Sequence, residues 1–212
     1  MIETEYRMKI IAIGAHPDDI EIGCGGTLAK YSDKGHEIYL YVATSGDAGG
    51  DGRVRSDEQI ESAKILGVKK IYWGGYRDTY ITVSKETIWN LEKVIREVSP
   101  DLIFVNYHDD THQDHRNLAQ ITISATRYIK NVLFYETPTT QNFNPNVFVY
   151  LGEKYLKIKE KVLLAHRSQV HKTNISDISI LDVSRSNALY RGVQARVNFA
   201  EAFQSLRLFI NI

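Results

Sequence analysis

The chain has 212 residues, 43% of them hydrophobic and 25% charged, and its 26 Lys and Arg balance 26 Asp and Glu. That is the composition of a folded globular chain, and zero net charge leaves no global basic field for a nucleic-acid backbone or an anionic membrane surface. The longest apolar runs, Ile10 to Ala15 and Ile38 to Ala43, fall well short of the roughly 20 residues of a membrane helix. The segment Met1 to Arg7 has neither the apolar core nor the cleavage site of a secretory leader, and the single cysteine, Cys24, has no partner for an internal disulfide. The expectation is one soluble domain over residues 1–212 in a reducing, cytoplasmic setting.

In chain order, Met8 to Gly14 is an apolar, β-branched run that reads as a buried parallel strand. Ile20 to Lys34 reads as a helix stopped by Gly35, and Glu37 to Thr44 as the second strand. Ser45 to Val54 is a glycine-rich loop, followed by a helix from Arg55 to Gly67 with Ile60, Ala63 and Leu66 on one face. Lys69 to Trp73 is the third strand. Ile88, Leu91, Ile95 and Val98 are spaced for a helix over Glu86 to Val98, Pro100 marks its end, and Asp101 to Tyr107 is the fourth strand. A loop, His108 to His115, leads to a helix with Leu118, Ile121, Ala125 and Tyr128 inward, and Val132 to Tyr135 is the fifth strand. Beyond Pro138 the periodicity weakens: a strand is expected at Val147 to Leu151, and helices at Lys154 to Gln169 and Ser186 to Phe203.

Strands alternating with helices imply right-handed βαβ units. The predicted fold is α/β, a three-layer Rossmann-like sandwich whose mostly parallel sheet runs 3-2-1-4-5 with C-terminal additions. In that order the connections after strands 1 and 4 leave in opposite directions, which opens a binding crevice at their carboxyl ends. Two histidine–aspartate clusters land there: Ala15-His16-Pro17-Asp18-Asp19 and His112-Gln113-Asp114-His115. They are nearly a hundred residues apart in sequence, yet the topology makes them face each other.

Histidine and carboxylate from two loops suit a divalent metal, with His16 and Asp19 three apart and a third ligand from His112 or His115, leaving a position for water. Asp18, Asp19 and Asp114 are also good N-cap residues for the helices that follow. The convergence of both clusters at one switch point favours the metal. Gly23, Gly25 and Gly26 lie inside the first helix rather than in the turn after the strand, which argues against a dinucleotide fingerprint.

With these motifs the chain resembles the PIG-L/LmbE-like zinc-dependent N-acetylglucosaminyl deacetylases, a family that includes enzymes of mycothiol and bacillithiol biosynthesis. The resemblance runs through Glu21, Gly23, Gly25 and Gly26, Thr44 to Asp47, Arg55 with Glu58, Ala63, Leu66-Gly67-Val68 and Asp78. It continues through Lys159 to His166, Ser168, Gln169, Arg191-Gly192 and Ala200 to Phe203. It implies His16, Asp19 and His115 as metal ligands and Asp18 as general base. His112 would be the catalytic histidine, protonating the leaving amine or stabilising the transition state, and Asp114 would orient it. The ion implied is Zn2+, and the ligand set also suits Fe2+.

Other residues carry two readings each. Arg55 and Asp78 match the family's sugar-contacting pair, or form a surface ion pair; Asp47 contacts substrate, or shapes a loop turn. Tyr107 stands where some relatives place an oxyanion-holding tyrosine nearby, while the stretch just ahead of the cluster is Asp109-Asp110-Thr111. Cys24 reads as buried packing, His36 and His171 as surface, His108 as lining, and His166 as a candidate to approach the site. The basic excess of Lys154, Lys157, Lys159, Lys161, Arg167 and Lys172 is a solvated helix face or meets a substrate phosphate.

The sequence therefore points to a metal-dependent hydrolase that removes the N-acetyl group from an N-acetylglucosamine-type sugar or glycoside. Its partner would be a small N-acetylated amino sugar, without nucleic acid or membrane insertion, and a homo-oligomer is compatible with this. The alternatives are hydrolysis of another amide or ester, or a non-catalytic sugar-binding protein on the same scaffold. The aglycone is left open.

Overall fold

In a computed structural model, which describes residues 6–210, five strands alternate with four helices through Tyr135. They are β1 (Lys9–Gly14), α1 (Asp19–Asp33), β2 (Glu37–Thr44), α2 (Gly52–Leu66), β3 (Lys70–Tyr76), α3 (Lys85–Val98), β4 (Leu102–Asn106), α4 (Gln113–Ala125) and β5 (Val132–Tyr135). Then follow β6 (Val147–Tyr150), α5 (Gly152–Ala165), α6 (Ile180–Gln194) and β7 (Ala200–Arg207). The sheet order is β3-β2-β1-β4-β5-β7-β6, with β1 to β5 parallel and β7 antiparallel to both neighbours. The first five residues, where the absence of a leader was read, lie outside the described residues.

Strand β1 shows why the continuous apolar runs become the centre. Ile10 and Ala12 face Ile20 and Leu28 of α1, Ala63 and Leu66 of α2 and Val162 of α5. Ile11 and Ile13 face Leu91 and Ile95 of α3 and Leu118 and Ile121 of α4. Each fully buried Ile or Leu contributes about 1.5–3 kcal/mol, so a strand buried on both faces fixes its register firmly. No helix among the described residues is long and apolar enough to cross a membrane.

Helix α1 breaks its path at Cys24 (φ −142°), which frees backbone amides in mid-helix. Those of Gly26 and Thr27 donate to the Glu201 carboxylate at 2.9 and 2.6 Å. Lys159 Nζ binds Glu201 Oε1 at 2.6 Å and the Ile22 carbonyl at 2.6 Å, so the donors and an acceptor at the break are satisfied in the interior. Gly23 lets the helix lie against the sheet, because a Cβ there would stand 2.0 Å from the Tyr135 ring. The Tyr135 hydroxyl lies 2.8 Å from the Ile13 carbonyl and 3.1 Å from Asn106 Oδ1, which accepts from the Ala15 amide, tying together the tips of β1, β4 and β5.

Several expectations need correction. Ala200 to Phe203 is strand, pairing with β6 and β5, and the preceding helix runs Ile180–Gln194 from a Ser179–Asp182 capping box. Helix α5 stops at Ala165, so His166 to Gln169 forms a turn. Tyr128 is 86% exposed because α4 ends at Ala125. Lys159 is no part of a solvated face; it is the buried partner of Glu201.

Candidate active site

After β1 the chain turns sharply. Asp18, the N-cap of α1, sits at φ 99°, a left-handed conformation that costs a non-glycine residue energy and is retained only where neighbours enforce it. Its amide donates to Gln59 Oε1 at 3.3 Å, its carbonyl accepts from Ile22, and Gln59 Nε2 donates to Glu21 Oε1 at 2.7 Å. The Arg55 guanidinium donates to the carbonyls of Pro17 and Gly46 at 2.6 and 2.7 Å and lies 3.3 Å from Asp18 Oδ1. Gly46 (φ 68°) makes room for it, since a Cβ there would come within 2.3 Å of Arg55.

The loop after β4 is ordered by Asp110. Its carboxylate accepts from the His112 amide at 2.8 Å, from Thr137 and Thr140 hydroxyls at 3.1 and 2.9 Å, and lies 3.1 Å from His115 Nδ1. His112 is the N-cap of α4, and its Nδ1 accepts from the Asp114 amide at 3.2 Å. The neutral His112 ring therefore carries its proton on Nε2.

The two loops bring His16, Asp19 and His115 together. His16 Nδ1, Asp19 Oδ2 and His115 Nε2 are mutually 3.3, 3.2 and 3.3 Å apart. Ligand atoms about 2.0–2.1 Å from a tetrahedral zinc stand about 3.3–3.4 Å from one another, so this donor set fits such an ion. The outer nitrogens are backed as metal-binding imidazoles usually are: His115 by Asp110, and His16 Nε2 by Asp114 at 3.4 Å and Asp78 at 3.0 Å. Asp78 Oδ1 is buried and makes no well-aligned hydrogen bond. Two other groupings are close enough to hold an ion: the three histidines His16, His112 and His115, and His16 with Asp78 and Asp114. In the latter, Asp114 is fully buried, commits its oxygens to the amides of Thr79 and Ile81, and does not line the cleft.

The field at the cluster favours positive charge. Burial would lower the His16 and His115 pKa values, but Asp114, Asp19 and Asp78 around the first hold it well above the ordinary value. Asp19 and Asp110 raise the second to about 9. Asp19 is held well below the carboxylate range by His115 and His16 despite its burial. His112 differs: burial, then the neighbouring His16 and His115, push it down. Asp18 is pushed up to about 6 by burial, with Arg55 pulling the other way and Asp19 adding to the rise.

The carboxylate of Asp114 faces His16, whereas only its backbone amide contacts His112; the expected orientation of His112 by that carboxylate is corrected accordingly. Arg55 and Asp78 are both buried and line the cleft, but each binds other groups, so the surface ion pair does not form. Asp47 is exposed, accepts from Ser45 Oγ at 3.2 Å in a short 3-10 turn, and is not among the cleft residues. Tyr107 is buried among Phe134, Phe143 and His108, away from the lining. His166 lies beneath the site, 3.4 Å from Glu21. Asp110 had no assigned role in the sequence, and Gln59 gave no signal beyond its place on α2. Glu58 accepts from both the amide and hydroxyl of Ser168, tying the turn after α5 to α2.

The cleft so formed measures about 470 Å³ and is lined by His16, Asp18, Asp19, Arg55, Asp78, His112 and His115 together with residues of the 137–139 and 169–183 segments. Residues 11–126 match the PIG-L family, described as GlcNAc-PI de-N-acetylase. The chain is 39% identical over 170 residues to the uncharacterized deacetylase YaiS of Escherichia coli (strain K12), covering 76% of this chain and 92% of that protein. It is 29% identical, over an alignment of 229 positions, to the diacetylchitobiose deacetylase of Thermococcus kodakarensis, covering 92% and 82%. Among solved structures it is similar to the N,N'-diacetylchitobiose deacetylase from Pyrococcus horikoshii, with a TM-score of 0.82, 30% identity and coverage of 94% and 84%.

Proposed function

The chain belongs to the PIG-L family, and from that premise we propose that it is a zinc-dependent hydrolase that removes the acetyl group from an N-acetylated amino sugar. The products are acetate and a free amine, and residues 1–212 act as one domain in the cytoplasm. The observation that carries this is the triangle of His16 Nδ1, Asp19 Oδ2 and His115 Nε2 with edges of 3.2–3.3 Å, beside a carboxylate, Asp18, held in a strained conformation.

His16, Asp19 and His115 would hold the ion. Bound there, zinc supplies Lewis acidity that makes water nucleophilic near neutral pH and polarises an amide carbonyl. Asp18 accepts the proton of the attacking water, and Arg55 fixes its carboxylate. His112, neutral because its pKa is lowered, donates its Nε2–H to the oxygen on which negative charge develops. The proton held by Asp18 passes to the departing nitrogen, so the bond from carbonyl carbon to nitrogen breaks as an amine leaves. Asp78 and Asp114 keep His16 in one tautomer, and Asp110 does the same for His115.

A sugar-binding protein without catalysis has no use for a carboxylate forced into a left-handed backbone, which favours the hydrolase over that alternative. The test is acetate release from a panel of N-acetylglucosaminides by protein loaded with zinc or, separately, Fe2+. Turnover with zinc is expected. Stoichiometric zinc and sugar binding without any acetate would leave the binding protein as the better account.

A further inference from the structure

The cleft does not end at the histidines. A second cavity, about 690 Å³, shares Ile22, Thr137, Pro138, Ile175 and Val183 with it, so the two are one continuous groove. Cavities of 300–1,000 Å³ take drug-sized ligands, whereas an N-acetylated hexosamine has only about fifteen non-hydrogen atoms and does not fill both. We infer that this second cavity seats the aglycone, and that the aglycone is an uncharged sugar residue, making the substrate a neutral N-acetylated disaccharide or longer saccharide. This rests on the deacetylase reading and deepens it.

The lining carries the chemistry. Ser184 is 4% exposed, yet its Oγ has no hydrogen-bond partner among the described residues, an expense that a ligand hydroxyl would remove. Tyr190 presents a ring that is 57% exposed, with the Arg191 guanidinium 5.1 Å from its centroid, a platform of the kind that meets the C–H face of a sugar. Ile175 and Ile178 add apolar area where the cavities meet.

Charge restricts the occupant. Among the lining residues are two carboxylates, Glu136 and Asp182, and no Lys or Arg. Glu136 is answered by a two-pronged pair with Arg191 at 2.6 and 2.7 Å. Asp182 accepts from Ser179 and has no ion-pair partner among the described residues, so a carboxylate or phosphate on the aglycone would meet uncompensated negative charge. The basic groups of the first cavity do not relieve this, because Arg55 is engaged by Pro17, Gly46 and Asp18 and Lys172 by the Gly49 carbonyl.

The test compares kcat/KM of the zinc-loaded enzyme for N-acetylglucosamine, N,N'-diacetylchitobiose and an N-acetylglucosaminide with a dicarboxylate aglycone. A disaccharide advantage of about tenfold or more over both others is expected, and Tyr190→Ala should cut the disaccharide-to-monosaccharide ratio by about the same factor. Asp182→Asn should improve the dicarboxylate conjugate relative to the disaccharide. Preference for the monosaccharide or the dicarboxylate, or a ratio unmoved by Tyr190→Ala in a variant with wild-type thermal unfolding, overturns the assignment. Should no substrate release acetate, the deacetylase reading fails on its own, and titration calorimetry with diacetylchitobiose decides the groove. Binding weakened by Tyr190→Ala supports it, and binding that is absent or insensitive to the substitution overturns it.

Discussion

The Asp114 carboxylate is bound to His16 across the cleft: its Oδ2 lies 3.4 Å from His16 Nε2 and accepts from the Thr79 amide at 2.7 Å, while Oδ1 accepts from Ile81 at 3.2 Å. The loop after β3 therefore fixes the carboxylate, and the carboxylate fixes the ring. Such partners of metal-binding histidines are worth 10- to 100-fold in affinity, so Asp114→Asn should weaken zinc by about that factor. Competition with a chromogenic chelator measures it, and an unchanged affinity would mean that His16 is held without Asp114.

Asp18→Asn should retain zinc and lose about 10²- to 10⁴-fold in kcat, because an amide cannot take the water's proton. Metal content by atomic absorption and acetate release on the same sample check both halves. Normal turnover would assign the base to another group.

Arg55 pulls the Asp18 pKa down against its burial. Below that pKa the carboxyl is protonated and useless as a base, so activity rises with pH through it. Removing the guanidinium raises the Asp18 pKa, and Arg55→Lys, which keeps charge but loses the fork, should shift the acid limb less than Arg55→Ala. The pH profile of kcat/KM reads the order; an acid limb identical in all three proteins would separate Asp18 from that limb.

His112 and His115 are three apart, and sequence alone allows either as the ligand. His115 Nε2 meets Asp19 and His16 at ligand-edge distances, whereas His112 caps α4 and presents Nε2 as a donor. Accordingly, His115→Ala should release zinc, and His112→Ala should keep zinc while lowering kcat. The reverse pattern in metal analysis would exchange their roles.

What could be read from sequence was set by locality. The buried runs of β1, β2 and β4 are visible because strands covered on both faces are continuously apolar, and the switch point between β1 and β4 places both histidine clusters without any contact being known. The partners of those clusters are another matter. Asp114 reaches Thr79 and Ile81, more than thirty residues back, in a loop with no periodic pattern. Ala-Glu-Ala-Phe at residues 200–203 has good intrinsic helix propensity, yet it forms a strand because β5 and β6 pair with it and because Glu201 is needed to cap the break in α1. Gln59 clamps Asp18 from a helix position that sequence marks only as polar.

Beneath the site, His166 Nε2 lies 3.4 Å from Glu21 Oε2, with both side chains buried and the contact too poorly aligned for a hydrogen bond. Burial opposes charge on either group. Even so, Glu21 holds the His166 pKa above its ordinary 6.5, and His166 with Ser62 and Gln59 holds Glu21 below 4.5. The raised histidine contributes stability fully below its unfolded pKa and loses it as pH rises through the folded value. The lowered glutamate contributes above its unfolded pKa and loses it as pH falls through the folded value. Both contributions are complete only between pH 4.5 and 6.5. Removing one partner of a buried pair costs about 3–5 kcal/mol, because the other charge is left unanswered. His166→Gln should therefore destabilise most near pH 5.5, within that window, and progressively less as alkaline pH strips the proton from the wild-type histidine. Urea unfolding of both proteins in chelator, so that metal binding adds nothing, gives the difference at each pH. A destabilisation that stays flat into the alkaline range would show that His166 is neutral in the fold and acts by packing alone.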